Sequence, residues 1–211
     1  MIMKKIVILL FVSIVMLANA GMAQDLRNSM HFGPKVGLNF SNVYDSEGDD
    51  FYADTKMGLA AGVFVSIPVG TFLGIQPELL FSQKGFKSSG SILGDDYTFT
   101  RTLNFIDIPL LIAVKPSEWL TIVAGPQYSY LISSKDAFKN SFLDIEQEQE
   151  FDNDNLRKNT LSFLGGLDFT INRIVVGTRV GWGLFKNNGD GSTTNPRYKN
   201  AWLQATIGFR L

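Results

Sequence analysis

The chain has 211 residues, 45% hydrophobic, 12% aromatic and 18% charged, with 19 Lys and Arg against 20 Asp and Glu for a formal net charge of -1. This excludes a disordered or coiled-coil chain and leaves one ordered domain as the expectation. The near balance of charge offers no basic field for a polyphosphate backbone, so nucleic acid is not an expected partner, and zero Cys with a single His, His31, removes thiolate metal sites, Cys nucleophiles and most imidazole chemistry.

Residues 1–23 read as a signal peptide: Lys4 and Lys5 form a positive start, Ile6 to Leu17 an apolar run, and Ala18, Ala20 and Ala23 the small residues that precede cleavage. Ala20 and Ala23 both suit the cut, and Ala23 is favoured because Gln24-Asp25 then opens a polar terminus. Residues 24–31 follow as a short periplasmic N-terminal segment. The apolar run falls short of the roughly 20 residues a spanning helix needs. No later run approaches that length, so a mature chain that crosses a membrane crosses it with strands.

From Phe32 onward the apolar period is two, the mark of strands with one apolar face. Eight segments carry it. Val36, Leu38 and Phe40 open the series; Met57 to Ile67 and Leu73 to Phe81 follow, then Ile106 to Val114 and a fifth segment from Trp119 to about Ser133. Leu161 to Ile171, Ile174 to Leu184 and Leu203 to Leu211 complete it. The opposite face is small and polar, with Gly37, Gly62, Gly177 and Gly181 among its residues; Gly is useful where backbones crowd around large side chains in a narrow lumen.

Long and short links alternate along the chain. Links at about 43–56, 86–98, 134–159 and 186–198 are long, whereas those around Val69-Gly70, Lys115-Pro116-Ser117-Glu118 and Asn172-Arg173 are tight. That order predicts, for residues 32–211, an all-β, eight-stranded antiparallel up-and-down transmembrane β-barrel in the outer membrane, both termini periplasmic and four long loops at the cell surface. Trp119, Tyr128, Tyr130, Trp182, Phe185 and Tyr198 are placed as interfacial aromatics, and Trp202, whose parity is luminal, as a packing residue.

The stretches Pro34–Ser41, Gln76–Gly85 and Asn104–Leu111 together resemble the PorT-like outer-membrane β-barrel family of Bacteroidetes-type bacteria, over nearly the whole mature chain. The resemblance implies a small outer-membrane barrel. It brings no catalytic residues and no secretion role.

The predicted luminal face carries charges of both signs: Lys35, Lys84, Arg179 and Arg210 against Glu78, Asp107 and Asp168. An eight-stranded barrel leaves a lumen just wide enough for side chains, so these groups are expected to pair as a plug. Asp144, Glu146, Glu148, Glu150, Asp152 and Asp154 stand at every second position of the third long link, a weak candidate for a hard divalent cation that lacks the turn Gly and distal Glu of a calcium loop. No nucleophile constellation or nucleotide fingerprint is present, so the reading is a non-enzyme without cofactor. Its expected role is structural or surface-interacting through the long loops. Its partners are outer-membrane lipid, the export and barrel-assembly machinery, and an unspecified surface partner. The alternatives are a narrow channel and a soluble exported ligand-binding barrel.

Overall fold

The computed structural model describes residues 26–44, 54–92, 95–140, 144–149, 157–185 and 198–211. The proposed signal peptide lies outside them. After a single 3-10 turn at Leu26–Asn28 come β1 (His31–Tyr44), β2 (Asp54–Pro68), β3 (Leu73–Ile92), β4 (Asp95–Val114), β5 (Leu120–Asn140), β6 (Asp144–Gln149), β7 (Asn159–Ile171), β8 (Ile174–Gly183) and β9 (Lys199–Phe209).

Every neighbouring pair is antiparallel, and the sheet closes because β1 pairs with both β2 and β9 while β5 pairs with both β4 and β7. Eight strands therefore form the ring. The short β6 is an additional strand on the far part of β5, from Ser134↔Gln149 to Lys139↔Asp144. One row of partners starts at Thr121 on β5, passes Asp168, Gly177, Thr206, Gly37, Ala60, Ser82 and Phe105, and returns to β5 at Leu131. The stagger is 131 − 121 = 10 residues. With ordinary strand spacings, ten residues over eight strands tilt the strands by about 40° to the barrel axis.

The tight turns fall where the sequence places them. Asn172 adopts a left-handed φ of 54°, which lets a two-residue turn join Ile171 to Ile174 with the twist of the flanking strands. The long links depart from expectation. Two of them are largely strand: β3 and β4 continue to the pair Ile92↔Asp95, and β5 with β6 occupies much of 134–149. These extensions are polar on both faces or carry aromatics without a strict period, so the apolar alternation that marks the other strands is missing there.

The barrel is apolar outside. Val36, Leu59, Leu79, Ile112, Leu167, Val176 and Ile207 face outward and are exposed, while Asn39, Ser82, Asp107, Gln127, Arg179 and Gln204 face inward and are buried. A continuous apolar belt of this extent cannot rest in water without associating, whereas in a bilayer the closed ladder satisfies every backbone group of the spanning part. Outward aromatics border the belt at both ends. Trp119 stacks on Phe169 at 6.2 Å near the tight turns, and Phe163 packs on Trp182 at 5.7 Å towards the long links. Tyr128, whose hydroxyl hydrogen-bonds Asn159, is also exposed there.

Candidate functional site

The lumen is filled in layers. In the half nearer the tight turns, Lys35 of β1 donates to both oxygens of Glu78 at 2.9 Å. Arg179 of β8 holds Asp168 of β7 in a fork, Nη1 to Oδ1 at 2.7 Å and Nη2 to Oδ2 at 2.8 Å, and lies 3.5 Å from Glu78. Gln76 joins the two acids, donating to Glu78 at 2.9 Å and Asp168 at 3.1 Å. Two acids, two bases and an amide thus form one network across four strands, with Arg179 only 1% exposed.

Glycine makes this network possible. A Cβ on Gly177 would sit 2.5 Å from Asp168 Oδ1, and one on Gly181 would sit 2.3 Å from the Trp202 ring. The first clears the carboxylate and the second lets the indole cross the lumen.

Above this layer, Asn39 donates to Ser82 at 2.9 Å and accepts from Gln204 at 2.9 Å. Lys84 then pairs with Asp107 at 2.7 Å, its ammonium 4.0 Å from the Trp202 ring centre and 5.1 Å from that of Phe105. Asp107 Oδ1, Arg179 Nε and Trp202 Nε1 are buried without a hydrogen-bond partner among the described residues. Apolar side chains complete the filling. Leu111, Ala113, Val123, Leu164 and Trp202 form one buried cluster and Leu103, Phe105 and Leu131 another.

Two site expectations change. Arg210 forms no ion pair among the described residues; it lies just beyond β9 at the turn end, where Asp168 of the network acts on it without a direct contact. Tyr198 is not an interfacial aromatic: it accepts from Arg101 Nη1 at 3.0 Å and packs edge-on against Phe86 at 5.2 Å, on the inner side. Of the six carboxylate positions in the third long link, Asp144, Glu146 and Glu148 lie on β6 in register with Lys139, Ala137 and Lys135 of β5. Glu150, Asp152 and Asp154 lie outside the described residues, and no cluster of metal-ligating side chains occurs among those described.

Sequence reasoning missed the Arg101–Asp136 pair, which closes the long-link end with two bonds of 2.8 and 2.5 Å. Its signal was present only in register. Between Leu131 and Ser133, Ile132 is an extra residue, so the inward parity of β5 changes from odd to even and brings Asp136 to the inner side. At the opposite end Lys115, just past β4, donates to Arg27 O at 3.4 Å, and burial, then Arg210, holds its ammonium below the ordinary lysine range.

A closed antiparallel ring with an apolar exterior and a charged, paired interior defines a transmembrane barrel of the bacterial outer membrane type. The family model described as outer membrane protein beta-barrel domain matches residues 22–188, and the chain belongs to that family and resides in the outer membrane. Among solved structures it is similar to Ail, the attachment invasion locus protein of Yersinia pestis, in complex with the heparin analogue sucrose octasulfate: TM-score 0.46, 12% identity, 87% of this chain and 99% of that one. Neisserial surface protein A gives a TM-score of 0.47 at 11% identity, over 85% of this chain and 97% of that one. OprG from Pseudomonas aeruginosa gives 0.37 at 11%, over 86% and 94%. No curated protein matches the chain.

Proposed function

We propose that this barrel is a non-catalytic outer-membrane scaffold whose lumen is plugged and whose long-link end meets partners at the cell surface. The observation that carries the plug is Arg179, buried at 1% exposure and held by Asp168 and Glu78 in the middle of the lumen. A guanidinium so placed blocks the path with a charge that is neutralised where it stands, and moving it strands two carboxylates. The apolar belt takes outer-membrane lipid as its partner, and insertion falls to the export and barrel-assembly machinery. The finer resemblance to PorT-like barrels is consistent with this reading and adds no secretion role to it.

The surface role follows from the uneven ends of the barrel. The tight-turn end offers links as short as Asn172-Arg173, whereas β3, β4 and β5 run on past the ring and add β6 at the other. Outer-membrane barrels keep short turns in the periplasm and longer connections outside. Protease added to intact cells is therefore expected to cut within residues 144–158 and to spare a tag at Ser117. Cutting confined to lysed cells, with the Ser117 tag reached from outside, contradicts the orientation.

A further inference from the structure

At the long-link end β2 carries one residue more than β3 between matched pairs: Thr55 faces Phe86 and Ala60 faces Ser82, five steps against four. An extra residue of this kind breaks the ladder locally. β3 accommodates it at Gly85, whose φ of 142° suits glycine alone. Ser41 of β1 ties the kink, its Oγ accepting from Gly85 N at 2.9 Å and lying 2.9 Å from Gly85 O and 3.2 Å from Lys56 O. Lys56 faces inward by the unbroken alternation of β2, in phase with Gly58 and Ala60, and is 7% exposed. Its stem passes over Gly85, where a Cβ would meet Lys56 Cδ at 3.2 Å.

Lys35, Lys84, Arg101 and Arg179 each have a carboxylate within 2.9 Å. Lys56 has none. Its ammonium, with three protons to donate, makes one bond to Met57 O at 3.3 Å, and the charged side chain that acts on it is a second cation, Lys87. An ammonium withdrawn from water calls for a counter-charge. The charge of Arg101 is already balanced by Asp136, so among the described residues Lys56 is the inward-facing cation of this mouth without an acid partner. Half-buried rings stand at the same end. Tyr97 stacks on Phe138 at 5.6 Å, and Phe99 lies 6.1 Å from Phe86.

We propose that Lys56 anchors a binding site in this mouth for a small organic monoanion, a carboxylate carried on an aromatic or apolar body. One unmatched charge suits one carboxylate, and the rings offer faces to the rest of the molecule. A dianion such as sulfate leaves its second charge unbalanced. The site goes beyond the surface-partner reading and does not rest on it, since it needs only the folded barrel and not its orientation in a cell.

The test uses the full folded chain in detergent micelles, titrated with benzoate, with benzyl alcohol as the neutral analogue and with sulfate, read by calorimetry and ligand-observed NMR. The parent is expected to bind benzoate at least about tenfold more tightly than either comparison, Lys56→Gln to lose about tenfold or more, and Lys56→Arg to stay within a few-fold of the parent. Lys56→Arg keeps the charge in place should the neutral variant fail to fold. Failure of the parent to bind benzoate at millimolar concentration overturns the proposal, as does equal binding by the parent and Lys56→Gln. Tighter binding of sulfate than of benzoate overturns the ligand class, and loss in Lys87→Gln without loss in Lys56→Gln overturns the anchor.

Discussion

Arg179 joins Asp168 and Glu78, so the cost of removing it depends on which acid is left behind. Arg179→Met strands Asp168 and is expected to cost about 3–5 kcal/mol of folding free energy, whereas Arg179→Met combined with Asp168→Asn costs much less than the sum of the two single changes. Arg210→Met, which breaks no ion pair, is expected to cost under about 1 kcal/mol. Folding equilibria in bilayers measure all four; additivity of the Arg179 and Asp168 effects contradicts a dry, paired lumen. Lys115 gives a pH-dependent counterpart outside the strands. Burial, then Arg210, lowers its pKa from the ordinary 10.5, so the folded chain releases this proton before the unfolded chain does. Between the two values the unfolded chain binds more protons, and stability rises with pH in the window that ends at 10.5. Lys115→Met is expected to be more stable than the parent below that window and to lose this part of the slope, as parent-minus-variant free energies against pH will tell.

The strands were legible wherever one face met lipid. Leu161 to Ile171 and Ile174 to Leu184 alternate cleanly because every second residue is outward, and β7 and β8 follow that pattern in their burial. A period of two therefore places Leu167 and Ile207 on the lipid face. Arg at either is expected to cost roughly 2–4 kcal/mol near the bilayer midplane; variants as stable as the parent in lipid contradict the outward assignment. The charged positions Lys35, Glu78, Lys84, Asp107, Asp168 and Arg179 were legible for the same reason, as breaks in polarity at inward parity. Their partners were not, because parity does not fix the register around a ring. Where an extra residue shifts the phase, reading fails: Ile132 moves Asp136 to the inner side, whereas Lys56 keeps the inward parity of β2 and stands one residue before the apolar run that marked the strand. The extensions of β3 to β6 escaped notice because past the membrane no lipid demands an apolar face.

At the scale of the whole molecule the barrel inverts the usual distribution of polarity, and the stagger of ten residues around eight strands sets how much room the inside has. That interior takes up two ion networks, a row of amides and hydroxyls, and two apolar clusters, in keeping with a barrel of this strand number, whose side chains fill the lumen. The plug is the central claim of the proposed function, and recordings of the purified, folded protein in planar lipid bilayers test it most directly. The account predicts stable insertion with no discrete conductance steps at moderate voltage. Reproducible unit steps carried by the folded barrel, unchanged when Arg179 is replaced by Met, would contradict it and make the lumen a water-filled path.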